Sequence, residues 1–386
     1  MSKNKYIIIL VGLLDVLSIW MVVPTLPDLM KYYHVWALLI SYWVTAYMFF
    51  SFLAAPFLWQ LSDIFWRRKI LTICVGGSFF SSLVIALWTT YPAFIIWRII
   101  NGITGWNISI LQAMMSDISK DKDELRENIW TISTLVWAGF IIGPLFWAIL
   151  LHYWIKVPYW FMTVFSLIET VILIIFLDET HKNPTKKKIQ YNPFKQIIHY
   201  LKNPAINLFM ISLFLTLLSY FLYQSVLPLY LNKHYMMNWA ATWYVMAWLG
   251  INMFLSRMFL VNKFWFKYFS LHKVLYIINI TGFILLLSLF FVKSLALFLI
   301  LLFLLVGFMT IVNPTYQAEI IDKVEGHSRW AIIWVLFSIQ SIVMFLWPLF
   351  GWYFLEKNIP IFLLSAFIIF LSIIIVTKIV KVQEII

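Results

Sequence analysis

Three ionisable side chains lie deep within long apolar runs. Asp15 lies about ten residues into the first run, Arg98 lies in the fourth and Glu169 lies in the sixth. Inside a bilayer such residues usually face a wet cavity or a charged partner, and they mark ion or substrate pathways. In that setting burial favours the neutral form of a carboxyl group, and a nearby cation favours its charged form. When the two effects are similar in size, the group can exchange a proton. The first chemistry that the sequence indicates is proton exchange, with Asp15 as its leading candidate and a structural hydrogen-bond acceptor as the alternative.

The apolar runs that hold these residues determine the fold class. Of the 386 residues, 63% are hydrophobic and 11% are charged, whereas soluble domains have ~25% charged residues. A bilayer span needs ~20 mostly apolar residues, and twelve runs meet that need. The predicted spans are 6–30, 36–58, 70–90, 93–115, 129–151, 157–177, 206–231, 240–260, 272–292, 294–316, 330–353 and 359–377. The sequence therefore predicts an all-α polytopic membrane protein. We read the first run as a retained span, because no signal-peptide cleavage site follows it.

Lysine and arginine alternate sharply between the loops. Of the 28, 22 fall on one side of the predicted membrane, five fall on the other, and Arg98 lies within a span. The positive-inside rule places the basic side and both termini in the cytoplasm. We therefore expect a multi-pass protein of the cytoplasmic (inner) membrane, in contact with its lipids. The net charge of +12 reflects this topology, so no nucleic-acid partner is expected.

The chain contains an internal repeat. The segment 142–147 recurs as 346–351 with the two prolines 204 residues apart, and Trp130 and Trp334 have the same separation. Two similar halves joined by a basic loop are typical of transporters whose substrate path lies between the halves. We expect a monomer that binds a small-molecule substrate.

The repeat divides the chain into domains. The predicted units are an N-terminal six-helix bundle over 1–178, a cytoplasmic linker over 179–205 and a C-terminal six-helix bundle over 206–386. Part of the linker, 194–201, has helical spacing of apolar residues, and both an interfacial helix and a solvated segment fit it.

Between the second and third spans the chain reads Leu-Ser-Asp-Ile-Phe-Trp-Arg-Arg-Lys over 61–69. This loop resembles the signature loop of the major facilitator superfamily. The resemblance implies the major facilitator fold, two six-helix bundles related by pseudo-two-fold symmetry. It also implies that Asp63, with Arg67 and Arg68, forms a cytoplasmic gate. The alternative is a plain positive-inside turn.

Two further stretches are most similar to the family's twelve-span drug:proton antiporters, of the tetracycline-efflux and multidrug type. Gly139, Gly143 and Pro144 in the fifth span resemble the antiporter motif, and generic small-residue packing is the alternative. The first span, with Asp15 followed by Pro24, looks like the first helix of tetracycline exporters. The resemblance implies proton coupling at Asp15.

A fourth stretch, 98–105, is similar to the family's intramembrane arginine motif. With about 100° of rotation per residue, six residues of the fourth span share one face of a helix. They are Arg98, Asn101, Gly102, Gly105, Ser109 and Gln112. We expect Arg98 to tune Asp15, and the alternative is an arginine that extends to the outer surface. Glu169 is expected to face lipid and to be idle, because the sixth helix of the family is peripheral.

Together these features predict a transporter and not an enzyme. The expected activity is export of small hydrophobic or cationic compounds (drugs) in exchange for protons, which would confer drug resistance. The alternative is a proton-coupled importer on the same fold. No cofactor beyond the coupling proton and no metal is expected. Candidate cavity residues are Asn101, Gln112, Tyr220, Tyr223, Gln224, Asn313, Tyr316 and Gln340.

The composition departs from the family in one respect. The chain has 21 tryptophans and 12 glycines, although transporter helices favour glycine at close crossings. Tryptophan stands where the family pattern has glycine at several positions, which are Trp59, Trp66, Trp106, Trp137, Trp147 and Trp347. Such replacements should overpack helix crossings. Compensated drift and decay both explain them.

Overall fold

The computed structural model describes residues 3–21, 32–34, 37–88, 90–105, 107–121, 156–181, 198, 200–256, 269–323 and 329–384, with scattered positions between 124 and 153. Within these ranges every regular element is a helix. The chain forms two compact units, Met1–Tyr191 and Asn192–Ile386. The boundary falls in the segment assigned above to the linker, most of which lies outside the described residues, as does most of the predicted fifth span.

The helices of the N-terminal unit are α1 (Lys3–Trp20), α2 (Ala37–Ile64), α3 (Arg67–Leu87), α4 (Tyr91–Thr104), α5 (Asn107–Ile118) and α6 (Val157–Ile175). The helices of the C-terminal unit are α7 (Pro204–Tyr235), α8 (Trp239–Ser256), α9 (Leu271–Phe291), α10 (Leu295–Met309), α11 (Val312–Asp322), α12 (Arg329–Glu356) and α13 (Ile361–Glu384). Over the described part of the chain, seven helical stretches are long and apolar enough to cross a membrane.

Helix starts follow local sequence signals where these are strong. The polar turn that precedes the fourth span caps α4, because Thr90 Oγ1 accepts a hydrogen bond from the backbone N–H of Ala93 at 3.4 Å. Pro92 occupies the first turn of α4, where its missing N–H costs nothing.

The predicted fourth span lies within the membrane-length stretch Tyr91–Ile118, but its helix is interrupted, whereas the predicted polar face assumed an unbroken helix. α4 ends at Thr104 and α5 begins at Asn107. The Gly105 N–H closes α4 by donating to the Asn101 carbonyl at 2.6 Å. The break also separates the predicted polar face, because Ser109 and Gln112 now belong to a different helix.

The tenth span, which lies within the membrane-length stretch Leu295–Ile320, is interrupted at the corresponding place in the repeat. α10 ends at Met309, 205 residues after Thr104, and α11 begins at Val312, 205 residues after Asn107. Pro314 explains this break. A proline ring clashes with the carbonyl group four residues before it, and proline has no N–H to donate to that carbonyl. In transporters, interrupted helices at matching positions of two repeats indicate the binding site.

Packing within the N-terminal unit centres on α3. This helix packs along α6 and α4, while α1 packs on α6 and α5. Cys74 shares one buried cluster with Leu173, and Ile85 shares a second cluster with Tyr159 and Met162. α3 and α6 therefore run antiparallel, with their middles at the same level.

The tryptophans do not overpack the bundle where their side chains are described. Trp66 is 55% exposed, so the predicted clash at this position is wrong. It precedes α3 with extended backbone angles (φ −82°, ψ 132°), so its indole extends outside the helix packing. Trp43 and Trp97 are fully buried, and their rings contact Phe94 in an edge-on and a tilted arrangement, respectively. The side chains of Trp59, Trp106, Trp137, Trp147 and Trp347 lie outside the described residues.

Candidate functional site

Asp15 lies in the middle of α1 and is 5% exposed. Its Oδ1 accepts a hydrogen bond from Asn107 Nδ2 at 2.9 Å. Its Oδ2 is buried and has no hydrogen-bond partner among the described residues. Asn107 is the first residue of α5, so the break in the fourth span brings this amide to the carboxyl group. The structure thus gives Asp15 one fixed partner and leaves one oxygen available for a proton.

The antiporter-like glycine lies beside this acid. A Cβ atom on Gly139 would overlap Val16 Cγ1 and lie 3.2 Å from the Val16 carbonyl carbon. The fifth span therefore touches α1 at the residue that follows Asp15, and only glycine allows that approach. Gly143 is buried, and Pro144 lies outside the described residues.

Arg98 lies in α4 and is 7% exposed, so the alternative of an arginine extended to the surface is wrong. Its guanidinium carbon lies 4.1 Å from the ring centre of Trp43, and 4.7 Å from the ring centres of Tyr47 and Trp97. Gly102, one turn further along α4, makes this possible. A Cβ on Gly102 would lie 2.7 Å from the Tyr47 carbonyl oxygen, so the glycine brings α4 against α2.

Asp15 and Arg98 are held by different partners. Aromatic rings surround the guanidinium, whereas an amide binds the carboxyl group, and no ion pair between the two is found within the described part of the chain. Asn101, one turn before the break, is buried, and Gln112 in α5 is half-buried. The predicted tuning of Asp15 by Arg98 stays a prediction.

The signature loop is anchored at its arginines. Arg67 Nε forms an ion pair with Asp117 Oδ2 at 3.0 Å, and Thr180 Oγ1 donates to the same oxygen at 3.1 Å. The Arg68 backbone N–H donates to Glu179 Oε2 at 3.1 Å. These contacts join the start of α3 to the ends of α5 and α6. The Asp63 side chain lies outside the described residues.

Sequence reasoning missed Asp117, Glu179 and Asn107. The two acids stand at helix ends next to basic loops, a signal that could have paired them with Arg67 and Arg68. Asn107 gave no such signal, because its role depends on a helix break that the apolar pattern does not show.

Polar side chains of the C-terminal unit form a closed network. The Tyr316 hydroxyl lies 2.5 Å from Ser212 Oγ, and Ser212 Oγ lies 2.7 Å from Ser372 Oγ. Thr216 Oγ1 donates to Asn279 Oδ1 at 2.9 Å. The network joins α7, α9, α11 and α13. Tyr316, a predicted cavity residue, is therefore buried in a helix-packing contact.

The other predicted cavity residues of this unit have varied surroundings. The Tyr220 hydroxyl contacts Met253 Sδ at 3.8 Å. Tyr223 is buried against Phe362, and its hydroxyl has no hydrogen-bond partner in the described chain. The three remaining residues, Gln224, Asn313 and Gln340, are half-buried.

Glu169 contradicts the prediction that it faces lipid. It is 1% exposed, and it lies on the inner face of α6 with Ser166 and Leu173, because this face packs against α3 and α1. Its Oε1 is buried without a hydrogen-bond partner among the described residues. Across those residues, no group of three or more metal-ligating side chains is found.

Comparisons with known proteins agree on one family. The model of the Major Facilitator Superfamily matches residues 8–348. The chain is similar to the class H tetracycline resistance protein of Pasteurella multocida, with 30% identity over 47% of this chain and 46% of that protein. It is also similar to multidrug resistance protein 2 of Bacillus subtilis, with 26% identity over 46% and 45%. The chain spans about half the length of the curated relatives it matches.

A solved structure matches over nearly the whole chain. The crystal structure of the human organic anion transporter MFSD10 (TETRAN) covers 97% of this chain and 99% of its own, with a TM-score of 0.78 and 17% identity. At that identity the match concerns the fold alone.

Proposed function

The chain belongs to the major facilitator superfamily, and on that premise we propose that it exports small hydrophobic or cationic compounds in exchange for protons. The family and the fold match confirm the predicted class, a multi-pass all-α protein with the major facilitator fold. From membership of this family we infer a transporter and not an enzyme. The substrate class, the direction of transport and the coupling ion are the proposed part.

The observation that carries the proposal is the buried carboxyl group of Asp15. A membrane-buried acid is expensive unless it serves transport, and its Oδ2 has no described partner. Protonation of that oxygen removes a charge from the interior of the helix bundle, and this change of charge can favour one conformation over another. The tight contact of Gly139 with Val16 couples the surroundings of Asp15 to the fifth span. The names of the tetracycline and multidrug relatives support drugs as the exported compounds.

Topology is part of the same proposal. From the excess of Lys and Arg in alternate loops we assign both termini to the cytoplasm and the chain to the cytoplasmic membrane. Arg67, Arg68 and Asp117 then lie on the cytoplasmic side, where the signature loop would act as a gate.

A second candidate is the export of organic anions. One observation favours it: the Arg98 guanidinium is buried among aromatic rings, and no hydrogen bond or ion pair of Arg98 is found in the described chain. A carboxylate on a substrate could bind there. MFSD10, which has the same fold, is an organic anion transporter, and organic anions are the compounds that such a site would bind.

The proposal is tested in a host that lacks its own drug exporters. Cells producing the wild-type chain are exposed to a panel of neutral, cationic and anionic drugs, and resistance to neutral or cationic members is expected. Resistance confined to anionic members would favour the second candidate. Accumulation driven by a proton gradient in right-side-out vesicles, with no export, would replace both with the importer.

Asp15→Asn tests the coupling residue on any drug that the panel identifies. We expect this variant to lose export against a gradient, while Asp178→Asn, which removes an exposed acid of the same unit, keeps it. Export by Asp15→Asn with the pH dependence of the wild type would overturn the assignment.

A further inference from the structure

Proton exchange at Asp15 leaves a second buried acid without a role. Glu169 is 1% exposed in the middle of α6, and its Oε1 has no hydrogen-bond partner within the described chain. An unpaired polar atom so deeply buried destabilises the folded protein, so a packing role alone does not explain it. Leucine would pack there without that cost.

The surroundings of Glu169 include another unsatisfied group. Because α3 and α6 run antiparallel, Ser78 lies at the level of Glu169, between the clusters that contain Cys74 and Ile85. Ser78 Oγ is also buried without a described partner. The Ser78 carbonyl already accepts hydrogen bonds from the hydroxyls of Ser81 and Ser82. A polar strip therefore runs along α3 inside an otherwise apolar bundle.

Asp15 lies in the same part of the N-terminal unit as Glu169. α1 packs on α6, and Val11, one turn before Asp15, shares a buried cluster with Leu173, one turn after Glu169. Asp15 and Glu169 therefore lie at the same level of the two helices, and their carboxyl groups interact electrostatically. Each carboxyl group has one buried oxygen without a hydrogen-bond partner among the described residues. Two carboxylates in apolar surroundings repel each other, so such pairs retain a proton and titrate as one unit.

Few other titratable groups face this pair. Tyr47 of α2 interacts electrostatically with Asp15, and Asp117 stands at the far end of α5, which packs on α1. The remaining titratable groups of the helices that pack against α6 are Lys3, Lys5, Tyr6, Arg67, Arg68, Lys69 and Cys74. All but Cys74 lie in the first turn of α1 or α3. Cys74 is buried one turn from Ser78. α4 meets the start of α6 where Trp97 contacts Tyr159, and its charged group, Arg98, is surrounded by aromatic rings.

We propose that Asp15 and Glu169 form a two-carboxyl proton site inside the N-terminal unit. The site alternates between one bound proton and two, and the exchanged proton is gained and lost at a carboxylate oxygen. Ser78 provides a hydroxyl group that can bridge the acids. This inference rests on the proposed proton coupling and extends it, because it makes Glu169 a proton carrier and not an idle acid.

Infrared titration tests the site without any substrate. The purified protein in lipid bilayers is brought from acid to alkaline pH, and the C=O stretch of protonated carboxyl groups is followed. We expect a band that is absent from Glu169→Gln and that titrates at a different pH in Asp15→Asn than in the wild type. A Glu169 band that never titrates would overturn the proposal, and so would one that titrates at the same pH in Asp15→Asn and wild type. If Glu169→Gln does not fold, the Asp15→Asn comparison alone decides.

Transport of ethidium tests the consequence. Glutamine has the shape of a protonated glutamate but cannot lose a proton. We therefore expect Glu169→Gln to lose ethidium export driven by a pH gradient and to keep ethidium exchange without a gradient. Glu356→Gln makes the same change at an exposed residue, and it should keep both activities. Gradient-driven export by Glu169→Gln at the wild-type rate would overturn the role of Glu169. If the wild type does not export ethidium, the proposed substrate class fails, while the infrared result still decides on the site.

Discussion

Gly139 leaves no space for a side chain beside the candidate proton site. A Cβ at this position would overlap Val16, and overpacking a buried contact costs about 1–3 kcal/mol. We predict that Gly139→Ala lowers the thermal stability of the purified protein and slows export more than the loss of stability explains, because the contact lies next to Asp15.

Gly76 in α3 provides the matched control. A Cβ at Gly76 meets no atom within 4 Å, so Gly76→Ala should be neutral or stabilise the helix by up to about 1 kcal/mol. Thermal unfolding and drug export of the two variants are compared side by side. Equal behaviour of both alanine variants would show that the contact of Gly139 with Val16 has no special role.

Single residues were predictable where their chemistry conflicts with their surroundings. Asp15 and Arg98 are conspicuous because a charge in an apolar run needs a reason. Asn107 is not conspicuous, since a neutral amide in a helix is most often a packing contact. The prediction for Glu169 failed for another reason. A helix that is apolar around most of its circumference does not reveal which face points inward.

The breaks in the fourth and tenth spans form the element-scale counterpart of the repeat. Both interruptions leave two residues between consecutive helices, and the first of them places Asn107 beside Asp15. The local signals for these breaks are weak. Gly105 is one of several glycines, and Pro314 lies within a run that otherwise satisfies the criteria for one span. By contrast, the cap of α4 was predictable, since Thr90 and Pro92 both favour a helix start.

Pro314→Ala should allow α10 and α11 to join. A proline within a helix costs up to about 3 kcal/mol relative to alanine, so we predict a higher midpoint of thermal unfolding. If the break serves the transport cycle, export should slow at the same time. Pro228, which lies inside the unbroken α7, is the control. Pro228→Ala should not slow export, and a Pro314→Ala protein that is both more stable and fully active would exclude a functional break.

At the scale of the whole chain, composition and loop charge carried most of the prediction. A chain that is 63% hydrophobic has no soluble alternative, and the repeat fits the family that matches residues 8–348. What the pattern could not supply is how each helix is rotated about its axis. That rotation decides which residues meet, and it depends on side-chain packing between segments far apart in sequence.

The tryptophans are spread over both units, and they are the strongest departure from the family pattern. Trp59 and Trp147 stand where the family has glycine, at positions expected near helix crossings. We predict that Trp59→Gly and Trp147→Gly each raise the temperature of inactivation and increase export, because removing an indole from a crossing relieves overpacking. Trp66→Gly should change stability little, because Trp66 is 55% exposed and glycine is accepted at a helix N-cap. Losses in both Trp59→Gly and Trp147→Gly would instead mean that neighbouring residues have adapted to tryptophan.

The protein made by its own cells offers a direct measurement at the same positions. Glycine and tryptophan codons differ by a single base, and a cell that reads UGA as glycine would produce this pattern when its gene is translated with UGA as tryptophan. Peptide mass spectrometry of the natural protein across 59–66 and 130–147 identifies the residues. Glycine in place of Trp59, Trp66, Trp137 and Trp147 would explain these four departures at once, and the glycine variants would then represent the working transporter. Tryptophan there would leave relief of overpacking as the only basis for improved export in those variants.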